Sequence, residues 1–371
     1  VFSLLVVSSV MNGFESDMRR RVIGFKSEIK VHNLDYSPLA NYDQLLNEII
    51  KAPGIVAVAP VCENELMLQN KKNIVSSVCY GIDYDSHNKI IDLQSKIRVG
   101  VPTKELFEDD GIILGLDMSL NLNVTVGEYV QLYSPIGTEP TPFGLLPKSK
   151  KFKVNGLFIS GMPEYDKVFS FISLKNSQYF LGLKDEISYI EIKTDNSSRS
   201  YVTAKKLQSF LGNKVIVEDW SEFEANLFNA IKMEKVVMFL VLALMIILAS
   251  FNMIGNFVKL VIEKKTEIGI LKALGASERD IKKIFIYIGL IVGFVGTFIG
   301  LFLAVILLNA QRLWHFIKIP VPGFPLHYLP VEIRFWDFII VPIVSILISY
   351  LTTLHPAKKT LKIEPIKIIR S

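Results

Sequence analysis

The stretch KLVIEKKTEIGILKALGASERDIKK, residues 259–283, decides the fold. It joins two uncharged apolar runs, 236–258 before it and 284–308 after it, each above the roughly 20 residues that a membrane-spanning helix needs. A short segment between two spans lies at a membrane face. Within it Ile268, Leu271 and Leu274 recur at helical spacing, Gly275 suits a left-handed helix stop, and Ser277 with Asp280 reads as a capping box. The pattern predicts a short amphipathic helix, a break and then the next span. Lys259, Lys264, Lys265, Lys272, Arg279, Lys282 and Lys283 outnumber Arg312, Lys318 and Arg334 of the other short loop, residues 309–334. The excess of positive charge puts residues 259–283 in the cytoplasm. The stretch fits two roles: a connector whose lysines meet anionic headgroups, or a docking knob for a cytoplasmic partner.

Working outward, composition bounds the class. Half of the 371 residues are hydrophobic and mean hydropathy is +0.37, too apolar for an average soluble protein and too charged for one wholly in the membrane. The net charge of +5 sits mostly beside the apolar runs, where membrane topology accounts for it without nucleic acid. The first ten residues, Val1 to Val10, are apolar without a basic start or a small-residue cleavage site, so they do not read as a signal peptide. Residues 1–14 are expected to be the outer half of a first span whose beginning lies upstream. The stripe Met11, Phe14, Met18 and Val22 continues that helix beyond the membrane until Gly24.

With residues 259–283 inside, residues 15–235 lie outside as one mixed α and β domain. Residues 26–31 and 54–61 read as strands around a helix at 42–51, and 65–69 and 75–82 as a hairpin about the polar turn 70–73. Further on come a helix at 116–122, strands at 129–133 and 151–159, and a helix at 200–211. Between those strands, residues 134–150 (SPIGTEPTPFGLLPKSK) hold four prolines and two glycines, which predict an irregular loop with Phe143, Leu145 and Leu146 near its tip. Such a tip is either a contact site or packs back on the domain. From Asp219 the face Trp220, Phe223, Leu227 and Ile231 predicts a helix that runs unbroken into the span 236–258, a rod able to transmit motion. The third span, 284–308, carries Gly289, Gly293, Gly296 and Gly300 for close helix approach. Asn252 and Asn256 call for polar company in the second. A fourth span is expected at 335–354, followed by a basic cytoplasmic tail, 355–371.

Cys62 and Cys79 fall on the two arms of the hairpin, where they are either free buried thiols or a disulfide, according to register. No phosphate-binding G-x-x-x-x-G-K-[ST] run, no H-E-x-x-H and no G-x-S-x-G occurs. The five histidines, His32, His87, His315, His327 and His355, lack metal-site spacing and read as surface or interfacial. Asp83, Asp85 and His87 read as a solvated turn. Neither catalysis nor a metal in this chain is expected.

The order of spans, the large outer domain and the EIGILKALGAS string resemble the permease subunits of the MacB-fold (FtsX-like) ABC transporters. More closely, VMNGFE at 10–15, TPFG at 141–144 with Pro147, and FNAIKMEK at 228–235 resemble the lipoprotein-releasing (Lol) permeases of Gram-negative bacteria, nearly end to end. The resemblance implies a multi-pass inner-membrane protein with four transmembrane helices and a large periplasmic α+β domain. Its transporter would lift lipoproteins from the membrane and hand them to a periplasmic carrier. Two permease copies, alike or different, would work with a cytoplasmic ABC ATPase dimer that alone binds ATP and magnesium. Glu267, Ile268, Gly269, Ile270, Leu271, Lys272, Leu274 and Gly275 would then form the coupling helix on the ATPase. Thr141, Pro142, Phe143, Gly144, Leu145, Leu146 and Pro147 would grip the carrier, and Met11 and Phe14 would line the lipoprotein cavity. A MacB-type efflux permease, or a division-type permease that activates a cell-wall hydrolase, would share the architecture.

Overall fold

The computed structural model describes residues 1–101, 105–141, 144–319 and 328–359. It divides into two compact units, Met18–Phe228, and Val1–Asp17 with Asn229–Ser371. The strands are β1 (Ile29–Asn33), β2 (Leu39–Ala40), β3 (Ile55–Asn70), β4 (Asn73–Ile82), β5 (Ile97–Gly100), β6 (Gly111–Gly115), β7 (Tyr129–Thr141), β8 (Gly144–Phe158), β9 (Phe169–Ser173), β10 (Glu186–Ile187), β11 (Tyr189–Thr194) and β12 (Val215–Asp219). The helices are α1 (Phe2–Ile23), α2 (Tyr42–Ile49), α3 (Tyr84–His87), α4 (Leu93–Lys96), α5 (Leu116–Leu122), α6 (Pro163–Val168), α7 (Leu174–Leu181), α8 (Ser200–Leu211), α9 (Trp220–Phe223), α10 (Ala225–Glu263), α11 (Lys265–Ala273), α12 (Glu278–Trp314) and α13 (Asp337–Lys359).

Ten strands of the first unit make one mixed sheet in the order β12-β1-β11-β3-β4-β9-β6-β8-β5, with β7 paired to β3 and β8. The alternation in β1, β11 and β12 buries Ile29, Val31, Ile190, Ile192 and Val217 under Ile49 of α2 and Ala204, Leu207 and Leu211 of α8. Under α5 and α7 a second core gathers Leu66, Leu68, Leu114, Leu132, Phe152 and Phe180. A third is aromatic: Phe25, Tyr80, Phe158, Phe169 and Phe171. The run GIILG of β6 is buried throughout, as befits a strand with neighbours on both edges and cover on both faces.

Two sequence expectations change here, and the hairpin register decides between the two readings of the cysteines. The strands expected at 54–61 and 65–69 are one long β3, because Cys62, Glu63 and Asn64 keep pairing with Gly81, Tyr80 and Cys79. That register sets the cysteines two residues apart on a diagonal, roughly 7–8 Å for such neighbours and beyond disulfide reach. Both thiols are free and buried, and Ser177 donates to the Cys62 carbonyl while it takes the Asn64 amide. The helix expected to run unbroken from Asp219 stops at Glu224 (φ −105°, ψ 38°). The Asp219–Glu222 capping box opens the four-residue α9, Glu224 at its end pairs with Lys26, and α10 starts afresh at Ala225.

In the second unit α10 and α12 are long and apolar enough to cross a membrane, and α13 is a shorter apolar helix. Small residues seat α13 on α12. A methyl group on Gly289 would stand 2.0 Å from Thr353 Cγ2 and one on Gly293 2.5 Å from Ser349 Oγ, while Thr297 donates to Ser345 at 3.2 Å. This is the first of the two glycine pairs. Of the second, Gly300 meets Val1 and Phe2, whereas Gly296 has open space. Asn252 and Asn256 line a cleft of about 620 Å³ with Gly293, Thr297, Ser345 and Ser349.

Candidate functional site

Residues 259–283 form a projecting knob. α10 ends at Glu263, Lys264 turns the chain (φ −90°, ψ 11°), and α11 follows. Gly275 (φ 97°) ends it, with Ala276 N–H bonded to Leu271 O and Gly275 N–H to Lys272 O, the paired bonds of a Schellman stop. Ser277 then caps α12 by accepting from Asp280 N–H. These are the stop and start read from the sequence.

Burial splits α11 into two faces. Ile268 is 3% exposed and joins Val261, Ile281 and Phe285 in a small core, and Gly269 is also buried. Opposite them Ile270, Leu271 and Leu274 are 56%, 41% and 80% exposed. With Glu267 they make an i, i+3, i+4, i+7 stripe. Ile268, grouped by spacing with Leu271 and Leu274, therefore belongs to the inner face. Lys264 bonds Glu267 at 2.5 Å and Lys272 lies 3.7 Å from Glu278, so cations frame the open apolar stripe. Such a surface can dock into a groove on a partner.

The second candidate is the ribbon of β7 and β8. Residues 134–150, expected as an irregular loop, pair instead: Thr138 with Pro147, Glu139 with Leu146, Pro140 with Leu145 and Thr141 with Gly144. Proline is tolerated where a strand's N–H faces no partner, as on a two-stranded ribbon. Between Tyr133 and Thr138 the register jumps, which absorbs the extra residues. The base is rigid, since Val130, Leu132, Phe152 and Val154 are core. Lys150 bonds Asp110 at 2.6 Å and Asn176 at 2.8 Å, and Lys148 bonds the Tyr179 carbonyl at 2.8 Å. Gly144 (φ 115°), Leu146 and Pro147 are exposed toward the tip. Pro142 and Phe143 lie outside the described residues.

Met11 and Phe14 sit half-buried on α1. The neighbouring positions are more tightly held: Ser8 Oγ and Asn12 Nδ2 each donate to Asp337 Oδ2 at 2.7 Å.

One polar pair was not legible. His87, read as a surface residue in a solvated turn, is 2% exposed and its Nε2 lies 3.1 Å from Glu191 Oε2. Asp83 caps α3 through Ser86 N–H, which turns His87 inward. Burial pushes the Glu191 carboxyl up, but His87, Lys30 and the Ser27 hydroxyl outweigh it and hold the pKa below its ordinary value of 4.5. His87 Nδ1 has no hydrogen-bond partner among the described residues. The long sequence separation of His87 and Glu191 hides the pair, and the alternation of β11 offers only the hint of a charged residue in an inward position. Burial lifts Cys62 to about 11 and Cys79 to about 12. Among the described residues no group of three or more His, Cys, Asp or Glu could hold a metal ion.

Residues 239–365 match the FtsX-like permease C-terminal family, a span that contains the knob, α12, α13 and the later part of α10. The chain is 28% identical over 375 residues to the lipoprotein-releasing system transmembrane protein LolC of Xylella fastidiosa, across 99% of this chain and 90% of that one. It is 29% identical over 379 residues to LolC of Neisseria meningitidis, across 100% and 91%. To the lipoprotein-releasing system transmembrane protein LolE of Haemophilus influenzae it is 23% identical over 381 residues, across 99% and 91%. The chain is thus similar along nearly its full length to lipoprotein-releasing system transmembrane proteins, with an FtsX-like permease C-terminal domain at residues 239–365.

Proposed function

We propose that this chain is the permease subunit of an ATP-driven transporter that releases lipoproteins from the inner membrane of a Gram-negative bacterium to a periplasmic carrier. The observation that carries the reading is the end-to-end similarity to LolC proteins, which extends through both units. The subunit crosses the membrane four times, its unit of Met18–Phe228 faces the periplasm, and residues 259–283 face the cytoplasm. It hydrolyses nothing itself. ATP and magnesium belong to a separate ATPase dimer, and a second permease, identical or different, completes the complex.

The exposed stripe of Ile270, Leu271 and Leu274 supports a coupling role. An apolar helix face held at its back by Ile268 moves as a body with the ends of α10 and α12 when a partner pushes on it. The push travels along α10, whose 39 residues contain no proline. On the periplasmic side the β7–β8 ribbon offers its tip, Thr141 to Pro147, to the carrier, and Met11 and Phe14 face the lipoprotein.

The test uses the assembled transporter in proteoliposomes loaded with a tagged lipoprotein, with purified carrier outside. Wild type is expected to transfer lipoprotein to the carrier only with ATP, and Phe143→Ala, Leu146→Ala and Pro147→Ala to reduce capture of carrier by several-fold. ATP-driven export of small amphiphiles without lipoprotein transfer would replace the proposal with efflux. Activation of a cell-wall hydrolase in its place would mark a division-type permease.

A further inference from the structure

Asp337 opens α13 and is half-buried. A single oxygen of its carboxylate, Oδ2, accepts from both Ser8 and Asn12 at 2.7 Å, the length of charge-assisted bonds. Ser8, Asn12 and Glu15 are spaced i, i+4, i+7 and so form one stripe of α1. Glu15, the third, bonds Lys235 at 2.7 Å and Arg334 at 3.3 Å. On the same side Ser9 is fully buried, with its carbonyl accepting from Glu332 N–H at 3.0 Å. Gly13 is pressed against the chain at Pro330, where a methyl group would stand 2.5 Å from the carbonyl oxygen. At ~100° per residue, Phe14 lies more than a third of a turn from that stripe and Met11 at its flank.

These contacts divide the work of holding α1. The close approach at Gly13 sets how near the helix comes. The carboxylate grips two side chains a full turn apart, and that opposes rotation about the helix axis and sliding along it. We propose that Asp337 is a positioning residue, which fixes through Ser8 and Asn12 the rotational setting of α1 and hence the direction in which Met11 and Phe14 are presented to the lipoprotein. This deepens the proposed function and rests on it for the identity of the cargo; the setting of α1 is a property of the chain alone.

The experiment uses the full chain assembled with its ATPase in nanodiscs. Single cysteines are placed as Met11→Cys or Phe14→Cys, and their maleimide labelling rates are compared in wild type, Asp337→Ala, Asn12→Asp and the swap Asn12→Asp/Asp337→Asn. Asp337→Ala removes the acceptor, and Asn12→Asp sets two carboxylates face to face. Each is expected to change the Met11→Cys to Phe14→Cys rate ratio by about three-fold or more and to raise the lipoprotein concentration for half-maximal ATPase stimulation several-fold. The swap exchanges donor and acceptor, with the amide now on α13 and the carboxylate on α1, and is expected to return both readouts toward wild type. A purely structural tie would lower assembly or stability without shifting the Met11→Cys to Phe14→Cys rate ratio. An unchanged labelling ratio in Asp337→Ala, or a swap that assembles yet labels like Asn12→Asp, overturns the proposal. If Asp337→Ala fails to assemble, the milder Asp337→Asn carries the comparison. A labelling ratio that follows Asp337 and is restored by the swap, in a transporter that moves no lipoprotein, would uphold the positioning role and remove the function proposed above.

Discussion

The knob at residues 259–283 and the ribbon of β7 and β8 share a plan: a buried anchor behind an exposed apolar tip. In the knob the anchor is Ile268 and the tip is Ile270, Leu271 and Leu274. In the ribbon the anchors are Leu132 and Phe152, and Leu146 is exposed toward the tip. They differ in the range of the contacts that build them. The knob is held by neighbours within about 25 residues, whereas the ribbon's anchors pack with Leu66, Leu114 and Phe180 from distant stretches of chain. A locally built device can be damaged without unfolding its unit; one whose root is the sheet core cannot.

The strongest way to break the comparison is to attack the ribbon's root. Phe152→Ala should destabilise the unit of Met18–Phe228 by about 3–5 kcal/mol, since it removes a fully buried ring; a loss below about 1 kcal/mol in urea unfolding would show that the ribbon is not rooted in that core. Nearly as large is the effect expected at Glu191 in the same unit. Its folded pKa lies below the ordinary value of 4.5, so its carboxylate favours folding above that pH, and the contribution fades as pH falls through the folded value. Glu191→Gln should therefore cost about 3 kcal/mol at pH 7 by taking the carboxylate from beside the buried His87 Nε2. The gap from wild type should close as unfolding is repeated toward pH 3, and a pH-independent gap would sink the assignment.

On the knob, Ile268→Ala should cost about 2–4 kcal/mol by opening a cavity behind α11, read as a lower melting temperature in detergent. The smallest change in stability, within ~0.5 kcal/mol, belongs to Leu271→Asp with Leu274→Asp, because both side chains are exposed. That variant sharpens the comparison most: it should weaken retention of the ATPase by roughly thirty-fold, about 2 kcal/mol. Full retention by the double variant would leave the knob as a mere connector.

The same difference in range governed what the sequence made legible. The stop at Gly275, the cap at Ser277 and the helices α5 and α8 follow from signals within a turn or two. The pairing of Pro140 with Leu145 and of Glu139 with Leu146 does not, because local proline content argues against strand while the tertiary frame of β3 and β8 enforces it. Register is likewise non-local, and one diagonal step separates two facing cysteines from the pair observed. The residue at the break, Glu224, pairs with Lys26, nearly 200 positions earlier in the chain. The buried pair of His87 and Glu191 could be found only when α3 and β11 were brought together.

The free thiols of Cys62 and Cys79 have a practical consequence. With pKa values lifted to about 11 and 12, fewer than roughly one in a thousand would be thiolate at pH 7, and the thiolate is the reactive form. Both are also shut away from solvent. The unaltered chain is thus a silent background for thiol chemistry, so a single introduced cysteine on α1, the knob or the ribbon can carry a spin label or fluorophore without stripping the native ones first.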